Sequence, residues 1–212
     1  MPKPSGSSLP PDHANAPRRY YAPTGGLLPQ SRQPDDKAIF TTAYAVIPKS
    51  VMSDIVTSFL PHWQQTRLWV LARPLSGFAE TFSHYLVETA PTGGSNAPDD
   101  DGSAQSVLFV VAGHLRLTLD GATFDLEAGG YAYMPPGTDW QTENIGDERV
   151  LFHWIRKRYQ AVAGMDAPSA FVTSDAAITP IEMPDCDGVW ATTRFVDPAD
   201  LRHDMHVNIV TF

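Results

Sequence analysis

A chain of 212 residues with 42% apolar side chains can bury one domain, or one and a half. Charged residues at 18% and aromatics at 10% exclude a disordered chain, and the net charge of −9 argues against a general nucleic-acid binder. No run approaches the roughly 18 apolar residues of a membrane span, the polar opening MPKPSGSSLPPDHANAP has no apolar centre for a secretory signal, and the lone Cys186 excludes an internal disulfide and a cysteine zinc cluster.

Residues 1–18 are polar and proline-rich and are expected to be disordered. The segment from Arg19 to Pro34 is irregular but aromatic, as an arm laid against a domain would be. Short runs rich in Val, Ile, Thr, Tyr, Phe and Trp then follow, separated by turn residues. They are 39–47, 67–72, 79–88, 106–111, 115–119, 122–126, 131–134 and 149–155. The stretch PHWQQTRLW holds at most a weak turn of helix, and no long run has a helical period. Segment 89–105 reads as a polar loop, and its run Asp99–Asp101 lacks the spacing and closing Glu of a calcium loop. After Tyr159 the chain reads as loop through Asp187, followed by strands at 190–196 and 205–212.

The sharpest local signal is LRLTL-DG-ATFDL. Asp120-Gly121 is the two-residue signature of a type I′ hairpin. Leu115, Leu117 and Leu119 fall on one face, as do Phe124 and Leu126 on the returning strand. Many short strands with turns between them define an all-β sandwich or barrel.

Four groups of residues are candidates for chemistry. Cys186 reads as a small, partly buried hydrophobe in a reducing cytoplasm. His203 and His206 would point to opposite faces if both lay on a strand, and are read as one loop and one strand histidine. Glu80, His84 and Glu88 share a strand face, but the two carboxylates stand about 25 Å apart at ~3.3 Å per residue, too far for one small site. Arg156, Lys157 and Arg158 read as a solvated strand end or as salt-bridge partners between domains. No serine-nucleophile, phosphate-loop or dinucleotide fingerprint is present.

The stretch from Val107 to Asn144 resembles the cupins, small β-barrels with two metal-binding motifs. Gly129, Pro135, Gly137 and Asn144 match the second motif in spacing, with Trp140 at its histidine position. Gly113 matches the closing glycine of the first motif and Gln105 stands about where its Glu belongs, but residues 93–101 contain no histidine. The indole of Trp140 offers no ligand atom, and a metal at this barrel would need converging imidazoles or carboxylates.

From about Arg18 to Phe212, segments including RYYAPTGGLLPQ, RPLSGFAETFSHYLVE, GGYAYMPPG and WATTRFVDPADLRHDMHVNIVTF resemble the (S)-ureidoglycine aminohydrolase family, bicupins once called glyoxylate-induced proteins. The resemblance implies a cupin (jelly-roll) barrel that is complete and metal-free, followed by the first strands of a second cupin. It implies boundaries of 1–37 for the tail and arm, 38–160 for the first cupin, 161–188 for a linker and 189–212 for the start of the second. It also implies a manganese-dependent hydrolase of allantoin and purine breakdown that turns (S)-ureidoglycine and water into (S)-ureidoglycolate and ammonia. The family's Glu, His and Gln ligands sit in the second cupin and would fall beyond Phe212. Catalytic residues are therefore unassigned, no residue here inherits a metal role, and this 212-residue form is expected to lack activity. The alternative is a catalytically silent cupin module that works by oligomerisation or small-molecule binding. A metal-dependent cupin isomerase or dioxygenase ranks last, because it needs the same ligands. A cytoplasmic homo-oligomer acting on a small ureido compound is expected, without nucleic-acid or membrane partners.

Overall fold

A computed structural model of the chain describes residues 39–41, 44–47, 60–72, 81–184 and 188–212. The expectations for residues 1–38, for Glu80 and for Cys186 lie outside these residues.

The first strands, β1 (Ile39–Phe40) and β2 (Ala45–Val46), form a small hairpin closed at Thr41 and Tyr44, so 39–47 is two strands rather than one. The barrel is built from β3 (Trp63–Ala72), β4 (Phe82–Ser95), β5 (Ala104–Ala112), β6 (Leu115–Leu119), β7 (Ala122–Leu126), β8 (Gly130–Met134), β9 (Trp140–Asn144), β10 (Val150–Arg158) and β11 (Phe171–Ser174). These make one nine-stranded antiparallel sheet in the order β11-β8-β5-β10-β4-β9-β6-β7, with β3 also on β4. A second sheet of β12 (Ile181–Glu182), β13 (Ala191–Arg194) and β14 (Asn208–Thr211) follows. The fold is an all-β barrel followed by a small three-stranded sheet.

The hairpin forms as its sequence dictates: Asp120 and Gly121 both have positive φ, 45° and 84°, as a type I′ turn requires. Leu115, Leu117 and Leu119 are buried beneath it. Leu126 is buried too, but Phe124 on the same face is 37% exposed, because β7 ends the sheet among the described residues.

Three readings of the sequence are corrected. PHWQQTRLW opens strand β3, with no helical turn; Gln65 takes up a register shift with a φ of 50° while Trp63 and Gln64 still pair with Ser95 and Gly94. Segment 89–105 is not all loop, because β4 runs on to Ser95, held by β3 on one side and by Thr142 and Glu143 of β9 on the other. Its small polar residues suit a backbone-to-backbone approach that apolar patterning does not announce. The stretch read as loop from after Tyr159 through Asp187 carries two strands, β11 and β12, and β11 joins the barrel sheet on β8.

Two apolar layers result. The barrel interior holds Leu68, Val87, Leu108, Val110, Leu117, Met134, Phe152 and the indoles of Trp63, Trp140 and Trp154. On the outer face Trp69, Leu86, Val107, Phe109, Tyr131, Tyr133 and Leu151 pack with Phe195, and Met205, Val207 and Ile209 lie against them. The continuous burial of β5 and β8 follows, because a strand covered on both faces reads as an unbroken apolar run.

Candidate functional site

The motif positions show how the barrel is closed. Trp140 of β9 faces inward, is 6% exposed and meets Trp154 edge-to-face at 5.8 Å. Asn144, at the motif's last position, does structural work: its Nδ2 donates to the carbonyls of Thr89 (2.9 Å) and Glu148 (2.8 Å), and its Oδ1 accepts from Gly146 N (2.9 Å). Gly113 has a φ of +84°, and a Cβ there would lie 2.7 Å from Val150 Cα. Gly113, Trp140 and Asn144 are thereby accounted for by packing and turn geometry.

Gln105 departs from the motif. Strand alternation turns Ser106, Leu108 and Val110 inward, so Gln105 faces out of the barrel. There it accepts from the Tyr133 hydroxyl (3.1 Å) and donates through Nε2 to Asp204 Oδ1. Lys157 Nζ donates to the other Asp204 oxygen at 2.8 Å, both side chains being 14% exposed. Of the two meanings weighed for the basic cluster, Lys157 takes the second, tying the barrel to the segment before β14. Arg158 and Arg156 instead face the acidic run, at 3.7 Å from Asp101 and 2.6 Å from Asp99. That run is not uniformly solvated, because the Asp99 side chain is only 8% exposed.

His203 and His206 both precede β14, so the strand expected to carry His206 begins after it. His203 is the buried one, 7% exposed and edge-on to Tyr133 at 4.8 Å, while His206 is exposed with its Nε2 3.2 Å from the His203 carbonyl. Glu88 receives Arg67 (2.7 Å) and Arg149 (2.9 Å) as a charge clamp on the outer face. His84 pairs with His153 of β10, a partner that the spacing within β4 could not reveal. Burial pushes both imidazoles down, His84 to about 3 with His153 adding to the effect, and His153 to about 4.

These side chains do not fit a divalent ion. Among the described residues no group of three or more His, Cys, Asp or Glu is placed to hold one. The inward motif position is an indole, and the one histidine pair spends a nitrogen of each ring on the other.

Among the described residues, one ring-lined concavity is the barrel mouth, a cleft of about 470 Å³. Its walls are Leu68, Val70 and the rings of Trp63, Tyr85 and Trp154; its rim carries His62, Asp99–Asp101 and Arg156. Both indole N–H groups are committed inside the fold, Trp63 to the Pro98 carbonyl (3.2 Å) and Trp154 to Ser106 Oγ (3.1 Å), so the rings offer apolar surface. The Arg156 guanidinium sits 5.9 Å from the Trp154 ring centre and donates to Asp99 Oδ1. The other carboxylate oxygen, Asp99 Oδ2, is buried without a partner among the described residues.

A nearly closed antiparallel barrel, a filled interior and a small mouth define a cupin domain, and the sequence profile described as Cupin domain matches residues 85–156. The glyoxylate-induced protein from Pseudomonas aeruginosa is 57% identical, with a TM-score of 0.81 over 92% of this chain and 70% of that one. The curated (S)-ureidoglycine aminohydrolase of Escherichia coli (strain K12) is 27% identical over 158 residues. That match covers 74% of this chain, which spans 59% of the relative's length. Protein Ylba from E. coli shares the fold at a TM-score of 0.70 and 24% identity, over 82% of this chain and 66% of that one. The chain belongs to the family of the glyoxylate-induced proteins, that of (S)-ureidoglycine aminohydrolase. Among the described residues no helix is long and apolar enough to cross a membrane.

Proposed function

We propose that this chain serves the family's reaction, the hydrolysis of (S)-ureidoglycine to (S)-ureidoglycolate and ammonia in purine and allantoin breakdown. In this reading the described barrel is the non-catalytic cupin, and the chemistry belongs to a manganese-bearing second cupin of the family. Trp140 carries the division of labour: an indole fills the inward position where the cupin motif has its histidine, and the interior around it is packed with apolar side chains. Ammonia release from (S)-ureidoglycine with Mn²⁺, measured on the protein isolated from its native source, tests the family reading. Release no faster than spontaneous decay overturns it. The same assay on residues 1–212 alone tests the barrel's role, and manganese-dependent release there overturns that part.

The second reading is a cupin module that works by association. Ile181 and Val210 at the outer strands of the second sheet are 53% and 44% exposed, and those strands have free edges among the described residues. Such edges pair or aggregate, so this cytoplasmic chain is expected to be a homo-oligomer. Light scattering that shows a single monomer counts against it.

A further inference from the structure

We propose that His203 is an acid-released latch: its neutral imidazole seats residues 197–207 on the outer face of the barrel, and a proton on the ring lets that segment lift. The inference goes beyond the reaction proposed above and does not depend on it.

The surroundings of the ring suit an uncharged imidazole. The side chain is 7% exposed and stands edge-on to Tyr133 at 4.8 Å and to Phe171 at 6.2 Å. Nδ1 is buried without a hydrogen-bond partner among the described residues. Nε2 lies 3.9 Å from Asp200 Oδ2, beyond hydrogen-bond length. A neutral ring leaves a bare lone pair at Nδ1, whereas an imidazolium has an N–H on both nitrogens. Protonation therefore sets an unmet donor and a charge against two aromatic rings.

The neighbouring carboxylates are already engaged. Asp200 takes Arg202 on both oxygens, at 2.9 and 2.7 Å. Asp204 takes Gln105 and Lys157 side chains and the Gln160 amide. Arg202 and His206, on the same segment, oppose a positive charge. From the barrel come Lys157 of β10, the Tyr133 hydroxyl of β8, bonded to Gln105 of β5, and the Tyr159 hydroxyl, bonded to the Arg202 carbonyl. β11 presents the uncharged Phe171. Burial outweighs the pull of Asp200 and Asp204 and holds the imidazole below its usual 6.5.

Segment 197–207 joins β13 to β14 and so ties the second sheet to the barrel. A depressed value in the docked segment means that the lifted segment binds the proton more tightly. Docking is therefore complete above about pH 6.5 and weakens as pH falls below it. Asp200 and Asp204 are both held below the usual carboxylate range and stay charged through this window.

Hydrogen–deuterium exchange of the whole chain from pH 7.5 to 5.0, corrected for the intrinsic rate at each pH, reads the local opening of 197–207. Peptides from β6 and β9 read global unfolding alongside it. Protection in 197–207 is expected to fall below pH 6.5, by up to tenfold per pH unit, the limit for one proton. His203→Phe, which keeps a ring and cannot take the proton, is expected to abolish that fall and leave the profile of β6 and β9 as it was. His203→Gln repeats the test should the Phe variant fold poorly. His84→Gln is expected to do the reverse, flattening β6 and β9 while 197–207 still responds. Protection of 197–207 that ignores pH, a fall that persists in the His203 variants, or one that vanishes with His84→Gln overturns the proposal.

Discussion

Nε2 of His84 lies 2.9 Å from Nδ1 of His153, across two neighbouring strands on the outer face of the barrel. One ring must donate and the other accept, so the contact exists only while at least one imidazole is neutral, and burial keeps both neutral near pH 7. In the unfolded chain both would titrate near 6.5. Depressed folded values mean that the unfolded state binds more protons below that point. Stability is therefore complete above about pH 6.5 and is lost as pH falls toward about 4 and 3. Urea unfolding between pH 7.5 and 4.5 is expected to show this loss, with a limiting slope of about 1.4 kcal/mol per pH unit for each proton. His84→Gln, which cannot take up a proton, is expected to flatten the profile; an unchanged slope would refute the assignment.

Asp204 is held at once by Lys157, by Gln105 and by the Gln160 amide. Asp204→Ala leaves the mostly buried Lys157 ammonium only the Asp204 backbone carbonyl (3.0 Å) and strips the fully buried Gln105 amide of its acceptor, at a cost of about 2–4 kcal/mol. The urea midpoint should fall accordingly. Limited proteolysis should cut sooner within residues 197–207, because their main polar tie to the barrel is gone.

Trp140→His restores the motif residue but not the site. The substitution removes an indole that packs on Trp154 and leaves a cavity with an imidazole in it, which is expected to cost about 3–5 kcal/mol. Manganese is expected neither to raise the melting temperature of this variant nor to change its electron paramagnetic resonance on addition of protein. A metal-dependent gain in melting temperature would show that the interior can assemble a ligand set after all.

Two glycines with the same φ of +84° should answer differently to alanine. At Gly121 a Cβ meets nothing within 4 Å, so only the backbone penalty of about 1–2 kcal/mol applies. At Gly113 the Cβ would also press on the Val150 backbone at 2.7 Å. Gly113→Ala is expected to lower the melting temperature clearly more than Gly121→Ala.

What could be read from the residues follows how local each cause is. Asp120-Gly121 specifies its turn through its own backbone preferences, and 115–119 and 122–126 came out with their bounds intact. The strand character of Thr89–Ser95 is set by β3 and β9, distant in sequence, and its small polar residues carry no apolar period. Motif spacing brought Trp140 and Asn144 to the right strand, yet it misassigned Gln105, because one residue of offset in a strand exchanges inside for outside. The charged rim of the barrel mouth was not legible for a further reason: its Asp99–Arg156 pair is 57 positions apart, and each half, an acidic run and a basic cluster, reads as solvated surface when seen alone.

The double burial of β5 and β8 also bears on how the chain is made. The cover for their outer face is supplied by Phe195, Met205, Val207 and Ile209, which leave the ribosome roughly sixty or more residues after Tyr133, several seconds at ~5–20 residues per second. During that interval β9, β10 and β11 complete the barrel, and Phe171 of β11 covers only part of the apolar face made by Val107, Phe109, Tyr131 and Tyr133. The nascent chain thus carries a timed vulnerability to sticking and a natural docking place for a chaperone, both of which disappear once the last segment closes over them.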